Sequence, residues 1–209
     1  MSNYFDHFPK TVYNLGDQNS LDSIANLTVN YTFIGDLLNN TSAYYEYSIS
    51  DGDTPEIVSH KIYGTPYYHW IILKINNMVD VNNDWPMDSK TFDTFINQKY
   101  NSMATAMSNT HSYNKIETTI LLANNEQISQ QITEIDSTVY AALSPSTTNY
   151  ALKDGTPNGT LIKVVITKNT KSKYEYEFEL NESKRNIKML RQDFISPVVQ
   201  EFHRIMDNA

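Results

Sequence analysis

Residues 44–77 read YYEYSISDGDTPEIVSHKIYGTPYYHWIILKINN, and this stretch decides the fold. Tyr45, Tyr47 and Ile49 alternate with Glu46, Ser48 and Ser50, the pattern of a strand with one buried face. Asp51-Gly52-Asp53 is a turn sequence. Thr54 is a good N-cap with Pro55 at the first helical position, and Ile57, Val58 and Ile62 fall on one stripe. Gly64 ends that helix as a left-handed C-cap. Thr65-Pro66 repeats the start signal, Tyr67, Trp70, Ile71 and Lys74 follow, and Asn76-Asn77 stops the second helix. A strand–helix–helix unit results, with Gly52, Asp53, Thr54, Ile57, Gly64, Trp70, Asn76 and Trp85 as its core or turn residues.

Working outward, the chain divides into five segments. Residues 1–43 form an N-terminal docking arm, opening with the aromatic cluster Tyr4, Phe5, Phe8 and Pro9. It ends in a short helix carried by Phe33, Leu37 and Leu38. The module covers 44–86 and closes at Asp84-Trp85-Pro86. A helix over 87–109 is capped by Asp88 or Ser89, with Phe92, Phe95, Ile96, Met103 and Met107 as a core stripe. Residues 110–182 are β-rich. Ile116, Thr118, Ile120 and Leu122 alternate up to a hairpin turn at Asn124-Asn125. Beyond it a helix through Ile128, Ile132, Ile135 and Val139 competes with a strand, and the alternation favours strand to about Ile135. A short helix over Val139–Leu143 capped by Ser137 follows, then a loop at 154–159. Leu161–Thr167 and Lys173–Leu180 then form a hairpin around Asn169-Thr170-Lys171. Residues 183–209 are a C-terminal docking segment whose helix carries Ile195, Val198, Val199, Phe202, Ile205 and Met206, with Pro197 in its first turn. The fold class is α+β.

The 209 residues carry 16 Lys+Arg against 24 Asp+Glu, a net charge of −8. That balance argues against nucleic acid or an anionic membrane as partner, since both need clustered cations. With no cysteine, disulfides, Cys-ligated metals and Cys nucleophiles are excluded. No apolar run approaches the ~20 residues of a membrane span, and the N-terminus has no secretory pattern. The 15 tyrosines suit a protein that makes interfaces.

Few groups in the chain are placed for chemistry. His7, His60, His69, His111 and His203 show no metal-ligand spacing. Asp80-x-Asn82-x-Asp84 opens like a calcium loop, but Trp85 stands where glycine is needed and Thr91 where glutamate is. Asp51, Asp53 and Glu56 sit at a tight turn and a helix start, where capping explains them. Nucleophile elbows and phosphate-binding glycine loops are missing. Lys184, Arg185, Lys188 and Arg191 form the one basic cluster, readable either as a solvated face or as a docking site for an acidic partner.

Tyr47-Ser-Ile49-Ser-Asp51-Gly52-Asp53-Thr54, Ile57-Val58, Tyr63-Gly64, Leu73 and Asn76 resemble the LysM module, a βααβ unit that commonly binds N-acetylglucosamine polymers. A longer pattern resembles the LysM-like baseplate wedge protein of T-even-type contractile-tailed bacteriophages. It runs from Tyr4-Phe5-x-x-Phe8-Pro9 through Ile62-Tyr63-Gly64-x-Pro66-x-Tyr68-x-Trp70-Ile71-Ile72-Leu73-x-x-Asn76-Asn77, Trp85-Pro86 and Gln98-Lys99-Tyr100. It ends at Leu180-Asn181-Glu182-x-Lys184-Arg185-x-Ile187-Lys188-x-Leu190 and Phe202-x-x-Ile205-Met206. That resemblance implies a virion tail subunit, made in the host cytoplasm, that clamps neighbouring wedges around the tail tube. It implies no catalysis and no cofactor, metal, nucleic acid, membrane or small-molecule substrate. The implied partners are wedge core and sheath-initiator-like proteins, with neighbouring copies of the chain as a further candidate. A peptidoglycan-binding module of a cell-wall-lytic protein is the alternative. The expected interface residues are Tyr4, Phe5, Phe8, Tyr67, Tyr68, Lys184, Arg185, Lys188, Phe194, Val198 and Phe202. The two ends should bury apolar area on other chains, so deleting 1–13 should spare the fold and abolish incorporation.

Overall fold

The strand opened by Tyr44 finds its partner far along the chain. In a computed structural model describing residues 4–14, 16, 21–29, 31, 41–153 and 160–207, two short strands lead in, Lys10–Tyr13 (β1) and Asp22–Ala25 (β2). Tyr44–Ser48 (β3) then precedes helices Pro55–Tyr63 (α1), His69–Ile75 (α2) and Val81–Asp84 (α3). Beyond them come helices Ser89–Tyr100 (α4) and Met103–Ser108 (α5), strands Thr110–Leu121 (β4) and Glu126–Ile135 (β5), and helix Ser137–Ala142 (α6). Strands Ser146–Leu152 (β6) and Thr160–Ser172 (β7), helix Lys173–Ser183 (α7), strand Asn186–Leu190 (β8) and helix Ile195–Asp207 (α8) complete the order. The mixture is α+β. The chain divides into two compact units, Met1–Ser89 with Asn181–Ala209, and Lys90–Leu180.

In the first unit β3 pairs antiparallel with β8, Tyr44 opposite Leu190 and Ser48 opposite Asn186. The expected module ended at 86, but its second strand lies beyond 185. The caps of α1 form as the sequence predicts: Thr54 accepts the Ile57 N–H, and Gly64 adopts φ 73° and donates to the His60 carbonyl. Thr65 likewise accepts from Tyr67 N–H at the 3-10 turn Pro66–Tyr68. The buried stripe of α1 is Pro55, Val58, Ser59 and Tyr63, at i, i+3, i+4 and i+8. Ile57 falls outside it and is 42% exposed, which corrects its assignment to the core. Trp70, Ile71 and Ile72 of α2, Met189 and Leu190 of β8, and Ile195, Val198, Phe202 and Met206 of α8 share one core with Phe8 and Tyr31.

The second unit is built on a four-stranded antiparallel sheet in the order β5-β4-β7-β6. Glu126–Ile135 is a strand, as its alternation favours. Four readings need correction, besides Asp22–Ala25, where strand replaces the partly helical spacing. The helix over 87–109 breaks at Asn101, whose φ of 66° is left-handed, and Ser102 recaps the chain by accepting from Thr105 N–H. Met107 is therefore 51% exposed instead of lying on a continuous stripe. Asp136, not Ser137, caps α6, accepting from Thr138 N–H at 2.8 Å. Asn169-Thr170-Lys171 is no turn: it continues β7 and pairs with Asn114, Tyr113 and Ser112. Lys173–Leu180, expected as strand, lies in α7. The Phe33–Leu38 helix and the 154–159 loop lie outside the described residues.

Candidate protein–protein interface

The first unit carries a groove of about 1530 Å³ whose walls are mainly aromatic and aliphatic. Tyr4, Phe5 and Asp6 of the short 3-10 turn Tyr4–His7, with Leu27, Tyr31 and residues of β3 and α2, line it. Inside it, Tyr4 stacks on Trp70 at 5.1 Å and on Phe202 at 5.2 Å, and Trp70 meets Phe202 at 4.7 Å between ring centroids. The Tyr4 and Tyr31 hydroxyls lie 3.0 Å apart. Burial raises the pKa of both phenols, so both stay neutral hydrogen-bonding groups. Lys74 lies 4.3 Å above the Tyr31 ring, and burial lowers its pKa.

The expected docking residues separate into two sets. Phe8, Val198 and Phe202 are buried in this chain's own core, and Phe194 packs against it. Their apolar surface is thus removed from water within the chain, which corrects the expectation that both ends hide it on other chains. Tyr4 is half-buried for the same reason, whereas Phe5 and Tyr67 on the groove are 56% and 51% exposed. Tyr68 is half-buried and meets Tyr63 edge-on at 6.3 Å.

Arg185 is an internal strut. Its guanidinium reaches Glu182 at 2.7 Å, Asp51 at 3.3 Å and the Ile49 and Met87 carbonyls at 3.5 Å, with the side chain 17% exposed. The Glu182 hydrogen bond leads the causes that raise its pKa. Asp51 also accepts from the Ser89 hydroxyl and backbone N–H, which hold its carboxyl below the ordinary range. Lys184 donates to the Asn83 carbonyl. Lys188 keeps an exposed side chain on the groove while Asn76 binds its backbone on both sides.

The turn residues hold the unit together. Gly52 takes φ 79°, the left-handed region open to glycine. Asp53 pairs with Lys61 at 2.7 Å, and its carbonyl accepts the Trp85 indole N–H at 2.7 Å. Trp85, at the foot of the rejected calcium-like loop, is buried. In that loop Asp80 caps α3, and Asp84 accepts the Val79 and Asp80 N–H groups. Both carboxylates thus serve backbone donors.

Residues that the sequence reading did not single out for the groove include Tyr44, Leu27, Ile75 and Met78. Leu27 and Tyr44 lie far from Ile75 and Met78 in the chain, so no local spacing marks them as one surface. The arrangement offers a large, half-open apolar recess with one partly desolvated cation. Such a recess suits the anchoring side chains of another protein.

No curated protein matches this chain. A family model described as base plate wedge protein 53 matches residues 4–205, nearly the full length. By that match, the chain belongs to the phage base plate wedge protein 53 family.

Proposed function

We propose that this baseplate wedge protein acts as a clamp, joining neighbouring wedges around the tail tube through the groove of its first unit. The observation that carries the reading is the exposure of Phe5 and Tyr67 on a groove whose lining also includes Tyr4, Tyr44, Trp70 and Leu73. Apolar surface left in water disfavours the free chain by about 25 cal/mol per Å², so covering this groove favours assembly. Wedge core and sheath-initiator-like subunits are the partners, Tyr67, Tyr68 and Lys188 contribute to the contact, and the chain works without catalysis or cofactor. The β3-α1-α2-β8 order supports a LysM-like module whose second strand is supplied from beyond the β-rich unit. The chain is made in the host cytoplasm and ends in the virion tail. Among the described residues no helix is long and apolar enough to cross a membrane.

The test replaces Phe5 and Tyr67 with Asp together. Both side chains are more than half exposed, so circular dichroism and melting should change little. Incorporation into wedges reconstituted from purified subunits should fall sharply. Normal incorporation of the folded double variant would remove the groove from the interface.

A further inference from the structure

Lys74 stands in the last turn of α2, one helical turn after Trp70, and both line the groove of the first unit. Its ammonium lies 4.3 Å from the centre of the buried Tyr31 ring. The ring face attracts the charge but offers no lone pair to the three N–H donors of an ammonium. Among the described residues Lys74 donates to no oxygen and pairs with no carboxylate. Asp6 and Glu46 line the same groove, yet neither forms an ion pair with it. Cations elsewhere in the chain are served differently. Lys61 and Lys99 are held by Asp53 and Glu177, and Lys168 and Lys184 donate to the carbonyls of Tyr140 and Asn83. Hydrogen bonds to those carboxylates raise the pKa of Lys61 and Lys99, whereas burial alone acts on Lys74 and lowers it.

A half-buried ammonium is tolerated while one side of it stays in water. A partner that fills the groove removes that water. Covered by apolar surface alone, the charge would lose its hydration with only the Tyr31 ring in exchange, and association would be opposed. We propose that the wedge subunit filling this groove sets an Asp or Glu carboxylate, flanked by apolar side chains, on the ammonium of Lys74. A carboxylate supplies both the opposite charge and the acceptors that the site lacks, whereas a backbone carbonyl or a hydroxyl supplies no charge. Tyr44, Trp70, Leu73 and Met78 around it favour apolar neighbours on the same partner segment. The inference rests on the groove being the wedge contact, and it adds the chemistry that selects the partner. An acidic residue within an apolar segment is accepted; a basic or purely apolar segment is not.

Wedges reconstituted from purified subunits supply the test. Lys74→Met keeps a long apolar side chain over Tyr31 and should fold, which circular dichroism checks. Its incorporation should fall roughly ten-fold, and that of Lys74→Glu roughly a hundred-fold. The unsubstituted chain gives a second readout. A water-soluble carbodiimide condenses a carboxylate with an amine in contact with it, losing water. In the assembled wedge it should join Lys74 to an Asp or Glu of another subunit, and peptide mapping by mass spectrometry identifies the pair. Normal incorporation of folded Lys74→Met chains would overturn the proposal, and so would assembled wedges in which Lys74 joins no carboxylate of another chain. The double variant Phe5→Asp, Tyr67→Asp separates this proposal from the groove reading. If that variant fails to assemble while Lys74→Met assembles normally, the groove stands and the carboxylate contact is lost. If both assemble normally, the groove reading falls and this proposal falls with it.

Discussion

The side-chain amide of Asn76 grips the backbone of Lys188, 112 residues further along the chain. Its oxygen accepts the Lys188 N–H at 2.8 Å, and its nitrogen donates to the Lys188 carbonyl at 2.9 Å and to the Ile72 carbonyl at 2.8 Å. One side chain thus ties the end of α2 to β8, serving groups that the two-stranded β3–β8 ladder leaves unpaired. Asn76→Ala should destabilise the protein by about 1–3 kcal/mol, the usual effect of orphaning buried or half-buried polar groups. Asn76→Asp should be no better, because a carboxylate cannot donate to the two carbonyls. Urea denaturation measures both; an unchanged midpoint for Asn76→Ala would show that the bridge contributes nothing.

The aromatic stack around Trp70 makes a second prediction, and it reverses the expectation for the N-terminal segment. Trp70→Ala should cost about 3–5 kcal/mol, as large aromatic truncations in cores do. Deleting residues 1–13 removes Tyr4 and Phe8 from contact with Trp70 and Phe202. The truncated chain should therefore melt at a clearly lower temperature, instead of folding normally and failing only to assemble. Differential scanning calorimetry of the deletion decides between the two.

His7 and His203 stack with ring centroids 3.9 Å apart, joining the N-terminal turn to α8. Burial first, and then His7, lowers the His203 pKa, against an opposing pull from Asp207. A histidine whose folded pKa is depressed resists protonation in the native state. Its contribution is complete above about pH 6.5, the unfolded value, and is lost as pH falls through the folded value. The melting temperature should drop on acidification below pH 6.5, and His203→Gln should flatten that part of the profile. Identical profiles for the two proteins would show that the stacked pair is silent.

What could be read from sequence was local. Thr54, Pro55, Gly64, Thr65 and Pro66 each act on the backbone within a few residues, so the start and end of α1 and the 3-10 turn that leads into α2 follow from them directly. The β3–β8 pairing was not legible, because nothing near Tyr44 specifies a partner near Leu190. Arg185 looked like a docking cation for a related reason: Glu182 lies three residues away, but Asp51, Ile49 and Met87 reach it only through the fold. The misreading of 173–180 has a different origin. Tyr174, Tyr176, Phe178 and Leu180 alternate as in a strand, yet Tyr174 and Phe178 also lie one helical turn apart and both contact Phe92. Glu177, on the same face, is buried against Lys99 and Tyr100, at 2.8 Å and 2.7 Å. A polar residue with a required partner on a helical face is easily mistaken for the outer side of a strand.

One local signal in that region does point to helix, and it yields the last prediction. Ser172-Lys173-Tyr174-Glu175 is a capping box. The Ser172 hydroxyl accepts the Glu175 N–H at 3.2 Å, while the Glu175 carboxylate accepts the Ser172 N–H at 2.7 Å and its hydroxyl at 2.9 Å. These bonds stop β7 and start α7 at the same residue. Ser172→Ala should cost about 1 kcal/mol, and Ser172→Asp, which retains an acceptor, should cost less. The Ser172 backbone N–H, then its hydroxyl, holds the Glu175 carboxyl below its ordinary range. A carboxyl depressed in the folded state contributes fully above its unfolded value of about 4.3, and that contribution is lost as pH falls through the folded value. Glu175→Gln should remove this acid-sensitive part while leaving an amide oxygen to accept from Ser172. Hydrogen exchange on the first-turn amides of α7, compared at pH 7 and in acid, measures both effects. Unchanged protection in Ser172→Ala would mean that packing against Phe92, not the cap, decides where the strand gives way to the helix.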